Sequence, residues 1–412
     1  MLKKLILENW KSFRYAELYF DPLTVLIGTN ASGKSNLVEA LEFLRRMATG
    51  ETVDVALNGD RSLSSIRGGS QWAVLRSEHG FLLNVLIEGN KKQDYSYHLQ
   101  VDKSPFIWDE HIRWNNLDNG LENKITLFSA INFDQNQRSG LNRDRAFYMG
   151  ADTINSHKYM VDGIINPYVH DKLSSSEFMN EIKKNIYEPL QKILIINPIP
   201  LQMRDFSRLS ETIEQDTSNI AGVLAALPDE QKAEIESTLS HYLEHFPEGD
   251  IKKVWAEKVG RLGTDAMLYC QEEWQPGQIT EIDARSMSDG TLRLLGILTA
   301  LLTRPEGSLI VIEEIDNGLH PSRAELLVKI LREIGTKRKI DLLITTHNPA
   351  LLDALGPEII PFVTVVHRDA ETGESQLTLL EDIENLPKLL ATGSLGKLAT
   401  KGTIEKTLAK SI

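Results

Sequence analysis

Cysteine is nearly missing from this sequence: Cys270 is the single one among 412 residues. That excludes an internal disulfide framework and fits a reducing, cytoplasmic setting. Long apolar runs are missing as well. The largest patches, such as "LLGILTALL", fall well short of the about 20 residues that span a membrane. The opening "MLKKLILENWKSF" has a run of only three apolar residues before Glu8, too short for a secretory signal. No membrane partner is expected. Low-complexity linkers, internal repeats and long heptad arrays are equally absent.

Positive charge is not in excess either. Asp and Glu total 58 against 45 Lys and Arg, a net charge of −13, so a uniformly basic nucleic-acid face is lacking. Local basic patches remain at Arg138, Arg143 and Arg145, at Lys252 and Lys253, and at 337–339. Each is read first as a solvated face, because exposed Lys and Arg are the norm. DNA stays open as a partner. What is present is ordinary for a globular chain, with 41% hydrophobic and 25% charged residues. The length suits two or three domains.

One short stretch stands apart. "VLIGTNASGKSNLVEAL", residues 25–41, fits G-x-x-x-x-G-K-[ST] with Gly28, Gly33, Lys34 and Ser35 in the fixed places. The preceding "LTVLIG" reads as a buried strand. Leu37, Ala40, Leu41, Leu44 and Met47 then recur at helical spacing. In such a strand–loop–helix unit, glycines let backbone N–H groups turn inward around phosphates, and the helix N-terminus adds partial positive charge. Lys34 then reaches the β- and γ-phosphates, and the Ser35 hydroxyl faces Mg²⁺.

The N-terminal part reads as strands ("KKLILEN", "AELYF", "LTVLIG"), and residues 80–101 alternate apolar and polar as antiparallel strands do. From about 155 to 275 the pattern reads as largely helical, with Ile235, Leu239, Leu243 and Phe246 on one amphipathic face. From 286 onward helix and strand alternate, which indicates a parallel sheet flanked by helices. The fold class expected is α/β, one domain split in sequence by a helical insertion.

A phosphate cradle hydrolyses nothing without a metal ligand and a group that positions water. "SLIVIEEIDNGLHP" offers both: four apolar residues, Leu309 to Ile312, then Glu313 and Glu314. Carboxyl ends of strands are where ligands bind in open α/β sheets. Glu313 is the candidate to hold Mg²⁺ through water, and Glu314 to orient or deprotonate the attacking water. "LLITTHN" is a second such strand, with His347 at its tip to donate to a γ-phosphate or to water. Ser288, Asp289 and Gly290 precede a helix at 291–302. There Ser288 or Asp289 is either a plain N-cap or part of a second phosphate-binding helix N-terminus, which would serve a partner's nucleotide.

Together "GTNASGKSN", "MSDGTLRLL", "LIVIEEIDNGLHP" and "ITTHNP" resemble, in content and order, ABC-type ATPases of the RecF, SMC and OLD-like group. "LILENWKSF" and Asn36 after "GKS" look like that group rather than membrane transporters. "PIPLQMRDFS", "DTSNIAGVLAAL" and "LLATGSLGKLATKGTIE" are similar to its compact stand-alone ATPases, some of them paired with nucleases in phage defence. The resemblance implies an ABC-type P-loop ATPase head, a mixed sheet with an antiparallel β subdomain. Residues 1–150 and 281–412 would form its two parts, and 151–280 a mainly helical insertion. It also implies ATP and Mg²⁺ as cofactors, with Gly28, Asn30, Ser32, Gly33, Lys34, Ser35 and Asn36 around the nucleotide and Ser35 and Glu313 on the metal. Lys34, Glu314 and His347 take catalytic roles. Ser288, Asp289 and Gly290 form the signature that meets the nucleotide of a second subunit, and 317–320 lie in the D-loop region. The Q-loop glutamine stays open among Gln100, Gln135 and Gln137.

The implied assembly is a homodimer, or a higher homo-oligomer, that sandwiches ATP. An insertion this short holds no SMC arm. With 65 residues after His347 and no D-x-D among them, a nuclease in cis is not expected, and "HYLEH" at 241–245 lacks the glutamate of a zincin. A separate effector protein is therefore expected, as in a phage-defence module. The alternative is a RecF-like repair ATPase that binds DNA.

Overall fold

The computed structural model describes residues 1–89, 93–105, 107–118, 121–131, 180–245, 250–317, 320, 323–384 and 386–408. In chain order, strands β1 (Leu2–Trp10), β2 (Phe13–Tyr19) and β3 (Leu23–Ile27) precede helix α1 (Lys34–Ala48). Strands β4 (Gly80–Glu88), β5 (Gln93–Asp102), β6 (Ile107–Asp118) and β7 (Leu121–Ile131) follow, then β8 (Ile193–Ile196) and β9 (Ser207–Arg208). Helices α2 (Ile220–Ala226) and α3 (Asp229–Glu244) lead to β10 (Ile251–Val259), β11 (Asp265–Gln275) and β12 (Gln278–Asp283). Last come α4 (Asp289–Thr303), β13 (Leu309–Ile312), α5 (Ala324–Arg338), β14 (Asp341–Thr345), β15 (Val363–Arg368) and β16 (Ser375–Leu379).

These elements fall into two compact units, each assembled from separate stretches of chain. The first comprises Met1–Asp21, Gly28–Ile193 and Thr364–Leu379. Its antiparallel sheet runs β2-β1-β4-β5-β6-β7. Period-2 alternation decides which face is core: Phe81, Leu83, Val85 and Ile87 of β4 and Tyr95, Tyr97, Leu99 and Val101 of β5 are all buried. Trp10, Phe43 and Phe81 form an aromatic knot, with ring centroids 4.8 to 5.8 Å apart. Phe43 brings α1 into that knot, and each such fully buried side chain contributes about 1.5–3 kcal/mol. The apolar stripe read from the sequence, Leu37, Ala40, Leu41, Leu44 and Met47, is the buried face of α1.

The second unit comprises Pro22–Ile27, Leu194–Val363 and Leu380–Ile412. Its β3, β14 and β13 pair in parallel, with β8 next in order. Every residue of β3, β13 and β14 is buried, as parallel strands covered on both faces require. Helix α4 buries nearly its whole length, and α5 the stripe Leu327, Val328, Leu331 and Ile334.

The helical reading of about 155–275 is corrected in part. Ile235, Leu239 and Leu243 do form the buried stripe of α3, while Phe246 lies outside the described residues. Residues 251–283, however, form the antiparallel order β10-β11-β12, with β9 on β11. Two features drive that outcome. Val254, Trp255 and Ala256 pack inward from a strand rich in β-formers. Gln275 pairs with Gln278 across Pro276–Gly277, and Pro then Gly at the centre of four residues marks a type II turn. Helix α3 is tied to this sheet at backbone level: Ser240 Oγ accepts from the Val254 N–H at 2.9 Å, and Glu236 Oε1 from the Ala256 N–H at 2.8 Å. Cys270 is buried and free, its thiol pushed up to about 12 by burial. Among the described residues, no helix is long and apolar enough to cross a membrane.

Candidate functional site

The phosphate loop lies in the first unit, and its sharp path rests on two glycines. Gly28 has φ +148° and Gly33 φ +120°, a region that side chains with a Cβ rarely enter. Space forbids a Cβ as well. At Gly28 it would clash with the Val366 carbonyl oxygen, and at Gly33 it would stand 2.6 Å from Ser375 Oγ. Ser375 is central to the mould: its hydroxyl donates to the Ser32 carbonyl at 2.6 Å and lies 2.8 Å from Ser12 Oγ. Arg368 Nε holds the Ala31 carbonyl at 2.9 Å.

Inside this mould, Lys34 Nζ lies 2.7 Å from the Gly28 carbonyl and 3.0 Å from that of Thr29, so the ammonium spans the loop. Gly33 caps α1 without any side-chain hydrogen bond, and the first turn carries no acid, which leaves the positive helix end to an anion. Ser32 is buried, and among the described residues its Oγ has no hydrogen-bond partner. An orphaned hydroxyl beside a glycine cradle is the donor set a phosphate fits. Ser35 and Asn36 occupy the first turn of α1, and Asn30 is exposed at the loop tip. The amide of Asn36 is engaged elsewhere: it donates to Ser12 Oγ and accepts from Arg67, both at 2.7 Å.

The acid pair lies in the second unit. β13 ends at Ile312, and the Glu313 N–H donates to the Ile196 carbonyl of β8 at 3.1 Å. Glu314 follows with φ +46°, a left-handed conformation that costs a residue with a Cβ on the order of 1 kcal/mol or more. Its N–H donates to Thr345 Oγ1 at 2.8 Å, and that of Ile315 to the Thr345 carbonyl at 3.2 Å. A buried threonine at the end of β14 therefore fixes the turn that lifts the Glu314 carboxylate out of the sheet. Glu314 is exposed, with Asn317 Nδ2 3.5 Å from Oε2. Asp316 is buried, and its Oδ1 has no partner among the described residues. Gly318 and Leu319 of the D-loop region lie outside the described residues.

His347 is exposed, one residue beyond the buried Thr346. Asn348 caps the next helix by accepting from the Ala350 N–H at 2.9 Å, with Pro349 in its first turn. Strand, histidine and cap thus follow in close succession, and His347 stands two residues past the carboxyl end of β14. Ser288 is the N-cap of α4, its Oγ accepting from the Thr291 N–H at 3.1 Å. Ser288 and Asp289 are exposed and Gly290 is buried.

Two arginines that the sequence did not single out complete this surface. Arg204 pairs with Asp289 at 2.8 Å and donates to the Met287 carbonyl at 2.8 Å, which holds the segment before α4. Arg293, in the second turn of α4, is held below its ordinary pKa by burial, against the opposing pull of Asp289 and Glu314. A charged neighbour of Glu314 therefore comes from the helix that Ser288 caps. The only cue in the sequence was an arginine within "GTLRLLGI", which helical periodicity leaves uninterpreted.

Gln100 lies on β5, paired with Leu82 and Asp109, while Gln135 and Gln137 are outside the described residues, as are Arg138, Arg143 and Arg145. Lys252 lies 3.4 Å from Glu273, Lys253 stands over the Trp255 ring, and Lys339 lies 3.5 Å from Glu306. His241 and His245 are exposed on α3, and the His245 ring bonds to the His241 carbonyl.

Comparison with known proteins gives the family. The energy-coupling factor transporter ATP-binding protein EcfA1 of Mycoplasma mobile is 25% identical over 179 residues, 42% of this chain. The match spans 57% of that relative's length. Similar solved structures include the SMC head domain from Thermotoga maritima, 14% identical at TM-score 0.45, covering 92% of this chain and 98% of that one. Another is the Smc head domain with an extended coiled coil bound to the C-terminal domain of ScpA, from Pyrococcus furiosus, 13% identical at TM-score 0.45, covering 95% and 99%. The family described as "AAA domain, putative AbiEii toxin, Type IV TA system" matches residues 23–353, from β3 through His347 to the helix that Asn348 caps. With most of its length matched, the chain belongs to this AAA-domain family.

Proposed function

We propose that this protein is an ATP-driven switch that closes and opens as a homodimer, each nucleotide held by the loop of one copy and the Ser288–Gly290 segment of the other. The observation that carries the reading is Glu314: a carboxylate at a strand end, in left-handed backbone, tied by Thr345. Strain kept at one acidic residue points to chemistry there. In this reading Gly28, Asn30, Ser32, Gly33, Lys34 and Ser35 surround the phosphates, with Ser32 Oγ as an added donor. Asn36 acts as a brace between α1 and the Ser12 segment. Ser35 and Glu313 would hold Mg²⁺, which when bound neutralises phosphate charge. Glu314 takes the proton of the attacking water or orients it, and His347 donates toward the γ-phosphate.

Exposure of Ser288 and Asp289, with Arg204 steadying the segment, supports a role in trans, since each copy carries its own cradle. We place the protein in the cytoplasm as the ATPase subunit of a defence module that acts with a separate effector. The family description, which names a toxin of a toxin–antitoxin system, supports that setting. The RecF-like DNA reading has less support, because Lys252, Lys253 and Lys339 of the basic patches face acids or a ring of their own chain. Phosphate release measured for wild type and Glu314→Gln tests the assignment. Turnover should fall at least a hundredfold in the variant with ATP affinity retained, and an unchanged rate would refute it.

A further inference from the structure

In the first unit, far along the chain from any nucleotide motif, the sheet carries a second cluster of ligating groups. His98 of β5 and His111 of β6 are direct cross-strand partners. Their rings stack 4.0 Å apart and 14° from parallel. Asp109 precedes His111 by two residues and so shares its face. Asp109 Oδ2 lies 3.2 Å from His111 Nδ1 and 3.8 Å from His98 Nε2. One donor atom from each residue falls within 4.8 Å of the others, and among the described residues this is the one such trio of His, Cys, Asp or Glu. The opposite face of the same strands is the apolar core of Tyr97, Leu99 and Ile112, so packing does not call for imidazoles here.

Two further observations separate this trio from a solvated polar patch. The three side chains are only 14%, 21% and 9% exposed, in the order His98, Asp109, His111. In addition, Asp109 Oδ1 is buried without a hydrogen-bond partner among the described residues. A buried carboxylate oxygen with nothing to accept from is a group short of a cation.

We propose that His98, Asp109 and His111 form a binding site for a divalent transition-metal ion, with Zn²⁺ as the fitting species, distinct from the Mg²⁺ of the nucleotide. Two imidazoles and a carboxylate are a donor set for zinc and its first-row neighbours, whereas Mg²⁺ selects oxygen ligands. Ligands about 2.0–2.2 Å from one tetrahedral ion stand about 3.3–3.6 Å from each other, and the separations of 3.2 and 3.8 Å to Asp109 Oδ2 bracket that range, so small side-chain adjustments bring the donors onto one ion. The ion would pin β5 to β6, and three protein donors leave a coordination position for water or a fourth ligand.

The test uses the full chain, stripped with EDTA and titrated with Co²⁺ or Zn²⁺ in the absence of nucleotide. Wild type should take up one equivalent of Co²⁺ with visible d–d absorption, and Zn²⁺ should raise its melting temperature. His98→Gln and His111→Gln should each weaken uptake at least tenfold and remove the melting shift. Lys34→Ala and Glu313→Gln should leave the cobalt spectrum unchanged, which separates this ion from the nucleotide site. Asp109→Asn keeps the side-chain shape and decides the matter if the histidine variants do not fold. The proposal is overturned if wild type binds no Co²⁺ at 100 µM, or if folded variants bind as wild type does.

Discussion

The phosphate loop and the acid turn solve one backbone problem with different means. Both need positive φ. The loop meets the need with Gly28 and Gly33, where Val366 and Ser375 would also exclude any Cβ, and at its tip with Ala31 at φ +63°, whose carbonyl Arg368 holds. The turn after β13 places Glu314 at φ +46° instead and secures it through Thr345. Where a Cβ has no room, the chain uses glycine. Where a carboxylate must stand at that point, the chain keeps the strained residue and supplies hydrogen bonds to hold it.

Substitutions at these two places can break the contrast. The largest expected effect is on chemistry: Glu314→Gln should lower kcat by about 10²–10⁴-fold, the usual contribution of a positioned base. Glu314→Gly sharpens the point, because it should raise stability by about 1 kcal/mol through strain relief while losing the same turnover. Chemical denaturation beside phosphate release reads both. If Glu314→Gly is less stable than wild type, strain is not what distinguishes this residue. Next, Gly33→Ala should cost about 1–3 kcal/mol and abolish ATP binding, since φ +120° and Ser375 both oppose a Cβ. Retained affinity for a fluorescent ATP analogue would contradict the mould described for the loop.

Thr345→Val should cost about 1–3 kcal/mol by leaving the Glu314 N–H unsatisfied. It should also reduce turnover while ATP affinity holds, measurable by the same two assays. A smaller effect is expected away from the site. Burial lowers His98 and His111 to about 4, with Arg113 acting in the same direction on both and Asp109 opposing on His98. Between about 4 and the ordinary value near 6.5, the unfolded chain binds more protons than the folded one. Stability should therefore fall as pH drops through that window, by about 1–2 kcal/mol for the pair at pH 5 in EDTA. A urea midpoint unchanged between pH 7 and pH 5, or the same drop in His111→Gln, would contradict this.

How much the sequence disclosed follows the same division. The loop, its strand and its helix were legible because the motif and both flanking periodicities are local. β13 and β14 were legible as apolar runs of strand length ending in polar residues. The strands of 251–283 were not, because a genuine helical stripe at 235–243 carried the reading past the "QPGQ" turn. Ser288 stayed ambiguous for a physical reason: an N-cap and a phosphate-binding helix end require the same residue in the same place. Arg204, Arg293, Arg368 and Ser375 act only through positions that the tertiary fold creates. The paired histidines of β5 and β6 became neighbours through strand register, which alternation alone does not fix.

The composite site is tested most directly by molar mass in solution, for wild type, Glu314→Gln and Glu314→Gln with Ser288→Arg, each with and without Mg-ATP. The account predicts that Glu314→Gln becomes a dimer with Mg-ATP and that adding Ser288→Arg returns it to monomer while ATP still binds. If the mass of Glu314→Gln does not respond to ATP, or the Ser288→Arg variant dimerises equally well, the segment before α4 is only a helix cap and the role in trans is wrong.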